Sequence, residues 1–108
     1  MPNDCVNHLT ITCSSDLKET IESDIKNMKI MIDQTGKNGI RFHFTTAWIP
    51  DYLWLEAFSK KYPSCWIKNE WLSEDGKAGV WIGYKNDIKF MEWDDLSIED
   101  EYFMFNPI

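Results

Sequence analysis

The sequence predicts an α+β domain in which one antiparallel sheet carries two helices on a single face. Three observations support this. Several short runs alternate apolar and polar residues, the period of half-buried strands. Two other runs carry an apolar stripe at helical spacing, and clusters of glycine, asparagine and proline punctuate the boundaries.

The first strand is expected over residues 8–13, where Leu9, Ile11 and Cys13 alternate with His8, Thr10 and Thr12. Ser14, Ser15 and Asp16 then offer helix caps, and Asp16 with Glu19 has capping-box spacing. Leu17, Ile21, Ile25 and Met28 make one stripe of a helix over residues 16–28, with Lys18, Glu22 and Lys26 toward solvent. Residues 29–33 fit either the end of that helix or a brief strand, and residues 35–39 read as a loop. A second strand covers 40–46, with Ile40, Phe42 and Phe44 on one face and Arg41, His43 and Thr45 on the other. Trp48, Ile49 and Pro50 break it, and a helix follows over 51–61 with a stripe of Leu53, Trp54, Ala57 and Phe58 that Pro63 ends. Residues 64–73 and 79–84 flank the turn residues 74–77 and are expected to pair as a hairpin. After a turn at Asn86 and Asp87, residues 88–93 read as a further strand, and 94–105 lean toward a short helix. Leu17, Ile21, Ile25, Phe42, Phe44, Leu53 and Ala57 are the expected core.

This order fits a ferredoxin-like fold in one domain of 108 residues, with a core over 1–85 and a C-terminal extension over 86–108. No apolar run is long enough to span a membrane, and the N-terminus lacks the basic and apolar regions of a signal peptide. Cys5, Cys13 and Cys65 follow no metal-ligand or redox-motif spacing, which predicts three reduced thiols and a cytoplasmic location.

The charge balance argues against a conventional nucleic-acid binder. There are 11 basic and 18 acidic residues, for a net charge of −7. Arg41 is the one arginine. Six of the acids, Glu92, Asp94, Asp95, Glu99, Asp100 and Glu101, lie beyond the last base, Lys89, so the rest of the chain holds 12 acids against 11 bases and is nearly neutral.

The opening residues, Met1-Pro2-Asn3-Asp4-Cys5-Val6-Asn7-His8-Leu9-Thr10-Ile11-Thr12, resemble the start of the YubB-type, or Api-like, ferredoxin-like domains of plasmids and phages. Phe44-Thr45-Thr46-Ala47-Trp48 before a proline, Tyr62-Pro63 after a helix, and Glu74-Asp75-Gly76 with Ala78-Gly79 match in order, so the resemblance spans residues 1–85. Departures occur at Asp4, where the family pattern has tryptophan, at the serine after Cys13, where a glycine is usual, and before Ala78, where a phenylalanine is missing. The resemblance implies a mobile-element protein with this fold and implies no enzymatic activity.

Two histidines, His8 and His43, fall on the polar strand face without carboxylates at ligand spacing, so no metal, cofactor or catalytic residue is expected. The open sheet face is expected to carry His8, Thr10, Thr12, Arg41, His43, Trp66, Lys68 and Trp81. Six tryptophans exceed what one small core needs. The expected function is therefore a non-catalytic protein-binding module. It would occupy a basic groove on a host nucleic-acid-handling protein or antiviral defence enzyme, possible targets including a CRISPR effector. Its expected partner-binding residues are Glu92, Asp94, Asp95, Glu99, Asp100, Glu101, Tyr102, Phe103, Trp66 and Trp81. No direct nucleic-acid or membrane contact is expected, and oligomeric state is left open. The alternative is a single-strand nucleic-acid binder that stacks bases on the open face.

Overall fold

A computed structural model describes residues 4–93. In chain order these residues form β1 (Asp4–Thr12), α1 (Ser15–Asn27), β2 (Ile32–Gly36), β3 (Gly39–Ala47), α2 (Tyr52–Lys61), β4 (Trp66–Ser73), β5 (Ala78–Tyr84) and β6 (Asp87–Trp93). The strands form one antiparallel sheet in the order β2-β3-β1-β4-β5-β6. Its first four members, interleaved with α1 and α2, reproduce the ferredoxin-like arrangement, and β5 and β6 extend it as a meander.

Residues 29–36, which sequence alone leaves between helix end, strand and loop, resolve into a helix stop followed by β2. At the stop, Lys29 takes a left-handed φ of 62°, its amide bonds to the Lys26 carbonyl, and the Ile30 amide reaches back to Ile25. This is the Schellman closure of a helix end, built here without its usual glycine. The expected capping box does not form. Helix α1 starts one residue earlier, with Ser14 as N-cap and no side-chain capping bond. Helix α2 is capped by Asp51, whose carboxylate accepts from the Trp54 amide at 3.1 Å.

Both helices cover the same face. Ile21 and Ile25 of α1 and Leu55 and Phe58 of α2 join Leu9, Ile11, Ile40, Phe42, Ile67 and Trp81 of the sheet in one buried cluster. Phe44 and Leu17 are half-buried at its margin. The stripe expected for α2 is rotated: Leu53 is 81% exposed and Ala57 is exposed, while Leu55, Phe58, Ser59 and Tyr62 face inward. Tyr62 is held in that position by its hydroxyl, which donates to Asp24 of α1, and Lys61 pairs with the same carboxylate at 2.8 Å.

Trp81 also departs from expectation. It is 1% exposed and lies on the helix-covered face, not on the open one. The ladder with β4 sets Asn69 opposite Trp81 and Ile67 opposite Gly83, so Trp81 shares the face of the buried side of β4. Gly83 makes room for it. A Cβ there would fall 2.7 Å from the Trp81 ring and 2.8 Å from the Ser59 hydroxyl. Alternation in β5 separates Gly79, Trp81 and Gly83 from Val80, Ile82 and Tyr84, but both sets are compatible with burial, and only the register decides. The β5–β6 turn has positive φ at Lys85 and Asn86, the geometry that two-residue hairpin loops require. Strand β6, expected over 88–93, pairs with β5 along its whole length and completes the sheet.

Candidate interaction surface

The corner between β3 and α2 is the most unusual piece of surface. Trp48 holds a left-handed φ of 68° and is 50% exposed; Ile49 is 51% exposed and Leu53 81%. A bulky L-residue pays for that backbone conformation, so neighbouring contacts must hold it. They are visible. The Thr46 hydroxyl donates to the Ile49 carbonyl at 2.7 Å, and the Ile49 amide donates to Ala47 at 2.8 Å. The buried Asn7 amide donates to Thr46 Oγ1 at 3.0 Å and to the Phe44 carbonyl at 3.3 Å, and its Oδ1 accepts from buried Asn69 at 3.0 Å. A hydrogen-bonded chain thus runs from the interior of β4 through β1 to the turn, bracketing Trp48 and Ile49, and Leu53 follows on the first turn of α2. Sequence reading saw Trp48 and Ile49 as a strand break. The overlooked signal was two large apolar residues in a turn, a position polar residues usually fill.

Beside this corner, Tyr52 of α2 packs on Phe90 of β6 with ring centroids 6.3 Å apart. Its hydroxyl donates to Glu92 Oε1 at 2.7 Å, and burial followed by the Glu92 carboxylate pushes the phenol well above its ordinary range. Glu92 therefore ties the edge strand to the start of α2, a structural task in addition to its expected place in a partner-binding strip. Phe90 is 66% exposed, Met91 60% and Ile88 36% along β6, an edge strand whose outer side meets no further strand among the described residues.

The open face holds the remaining expected residues. Trp66 is there and half-buried, with Lys68 Nζ 5.8 Å from its ring centroid. The cross-strand registers set His43, His8, Glu70, Val80 and Met91 in one row, and Arg41, Thr10, Lys68, Ile82 and Lys89 in the next. His8 and His43 are side by side, ring centroids 5.8 Å apart. Strand β2 adds a carboxylate missing from the sequence reading: Asp33 Oδ2 lies 2.6 Å from His43 Nδ1. Among the described residues no hydroxyl or thiol is hydrogen-bonded to His43. The described residues also contain no group of three or more His, Cys, Asp or Glu able to hold a metal ion. A shallow polar concavity of about 550 Å³ lies over this region, bordered by His8, Thr10, Arg41, Lys68 and Glu70. No helix of the described residues is long and apolar enough to cross a membrane.

The structure therefore separates the expected site residues. Trp66 lies on the open face, Trp81 inside, and Glu92 on the edge strand against α2. Asp94, Asp95, Glu99, Asp100, Glu101, Tyr102 and Phe103 lie outside the described residues, as does the short helix expected over 94–105.

The family model for the ferredoxin-like domain in Api92-like protein matches residues 27–103. The chain belongs to this family. The matched span of the Api92-like domain runs from the end of α1 through β6 and includes the β3–α2 corner and the later motifs of the sequence resemblance, whereas the opening motif, residues 1–12, precedes it. No curated protein and no solved structure gives a match.

Proposed function

We propose that this Api92-like domain is a non-catalytic protein-binding module that acts by occupying a partner's surface. The observation that carries this reading is the Trp48–Ile49–Leu53 corner: exposed apolar side chains around a left-handed Trp48, in a turn that hydrogen bonds tie back to buried Asn7. A half-exposed tryptophan is the residue type that dominates binding energy at protein interfaces. The acidic residues that follow β6 add electrostatic steering toward a basic groove. The resemblance to plasmid and phage proteins favours, as the owner of that groove, a host protein that handles nucleic acid or defends the cell. The work is steric occupancy of a groove otherwise open to phosphates. It needs no cofactor.

The test is comparative capture from host lysate with the parent and Trp48→Ala as baits, followed by calorimetry on whatever the parent enriches. A protein retained by the parent and weakened about 30-fold or more by the substitution supports the reading. Equal affinity for both baits refutes this corner as the anchor.

A second reading has one specific observation behind it. Arg41, Lys68 and Lys89 line up across the open face beside half-buried Trp66, as a single-strand binder would arrange them. Asp33 and Glu70 lie among these cations, Lys68 pairs with Glu70 at 2.9 Å, and the chain is acidic. Gel shift with single-stranded oligonucleotides at low salt separates the two readings, since phosphate contacts are strongest there.

A further inference from the structure

The three cysteines are free and buried, and two of them, Cys13 and Cys65, belong to the same buried cluster. The β1–β4 register runs Ile11 opposite Ile67 and Thr12 opposite Trp66. One step further along both chains sets Cys13 opposite Cys65. The hydrogen bonds identify the kind of pair this is. The Cys13 amide donates to the Asn38 carbonyl at 3.0 Å, and the Cys13 carbonyl accepts from the Asn38 side chain at 3.1 Å. Both main-chain groups of Cys13 thus point toward the β3 side. The Cys65 amide likewise turns away, to the Tyr62 carbonyl at 3.0 Å. Just past the last paired residues, neither main chain turns to the other, as in a non-hydrogen-bonded pair, whose typical Cα separation of about 4.5 Å lies inside the range a disulfide spans. Both side chains enter the same buried cluster, so they point to the same side of the sheet. Cys5, at the other end of β1, is eight residues from Cys13, roughly 26 Å of extended strand, and cannot take part.

We propose that Cys13 and Cys65 form a cross-strand dithiol that closes to a disulfide when a peroxide reaches it. Cys13 keeps 7% of its surface exposed and Cys65 none, so the oxidant meets Cys13 first. The Cys13 sulfur attacks one peroxide oxygen, the O–O bond breaks, and water leaves a sulfenic acid. The Cys65 sulfur then displaces that hydroxyl as a second water, and the S–S bond forms. The two thiols lose two protons and two electrons, and the peroxide is reduced to two waters. Burial pushes both thiols up, and at Cys65 the neighbouring Cys13 adds to the effect. Closure therefore runs through a minor thiolate fraction and quickens as pH rises. The bond ties the exit of β1 to the entry of β4 and encloses residues 14–64, which shrinks the unfolded ensemble and strengthens the fold under oxidising conditions.

The full chain is treated with hydrogen peroxide at about pH 8, and thiols are then counted in denaturant alongside intact mass and peptide mapping. The expected result is a fall from three thiols to one, a mass lower by two hydrogens, and a 13–65 linkage. Melting temperature should rise by about 10 °C and return on reduction. Cys5→Ala closes as the parent does, and Cys13→Ala keeps both remaining thiols and shows no rise in melting temperature. Retention of three thiols, a linkage that uses Cys5, or a mass gain from oxygen without closure overturns the proposal.

Discussion

Trp48 shows how a single residue can be costly for folding and useful for binding. Its left-handed backbone is a conformation that glycine adopts freely and a tryptophan does not. Trp48→Gly should therefore leave stability within about 1 kcal/mol of the parent, because lost packing of a half-exposed ring is offset by relief of strain. The same change should remove partner binding. Denaturant unfolding beside calorimetry checks both, and a loss of several kcal/mol would mean that the ring is a packing element and not an anchor. Asp24 is the opposite case, a residue whose work is internal. Lys61 first, and then the Tyr62 hydroxyl, hold its carboxyl below the usual carboxylate range. A carboxylate with a lowered folded-state pKa contributes stability fully above its unfolded value, and loses it as pH falls through the folded one. Asp24→Asn should cost about 1 kcal/mol at pH 7, and its difference from the parent should begin to shrink as pH falls below about 4 and close only below the lowered folded-state value, where both side chains are neutral. Urea midpoints across that range show it, and a difference independent of pH would remove the carboxylate's charge from the account.

At the scale of elements, the hairpin tests how β5 is seated. A methyl group at Gly83 would press on the Trp81 ring and on Ser59 of α2, with no open space to relax into. Gly83→Ala should destabilise by about 1–3 kcal/mol and displace α2 from β5. Near-UV circular dichroism would report the changed tryptophan environment, and an unchanged spectrum with unchanged stability would contradict the seating. The hairpin also shows what was legible in the sequence. Alternation and turn chemistry located both strands, and the apolar stripe of α1 correctly named Ile21 and Ile25 as buried. They misplaced Trp81 because two apolar sets competed for the interior of β5, and the choice rests on hydrogen-bond partners that belong to another strand. The same limit rotated α2. Leu53 has the hydrophobicity of a core residue, but the inward face belongs to the side that offers small Ser59 to Gly83 and Tyr62 to Asp24. Strand β2 was ambiguous because its pairing partner, β3, lies just beyond the loop and its own residues are mostly exposed. The Asp33–His43 contact could not be foreseen until that strand was placed.

At the scale of the whole molecule, the charge is divided between a nearly neutral body and an acidic stretch that begins where the sheet ends. This division separates two ways in which the acids could matter to a partner. If the corner supplies short-range anchoring and the stretch supplies attraction over distance, the two contributions appear in different rate constants. Replacing Glu99, Asp100 and Glu101 with Gln, Asn and Gln takes the net charge from −7 to −4. Association with a basic-grooved partner should slow about tenfold at low salt and lose part of its salt dependence, while dissociation stays near the parent's. Trp48→Ala should do the reverse, with faster dissociation and nearly unchanged association. Relief of like-charge repulsion means that the acid variant should melt no lower than the parent. Stopped-flow association at two ionic strengths, with thermal melts of each variant, distinguishes these outcomes. If the triple replacement leaves association unchanged at low salt, the acidic stretch steers nothing, and attraction to the partner must come from the described surface, where Arg41, Lys68 and Lys89 would favour an acidic partner instead.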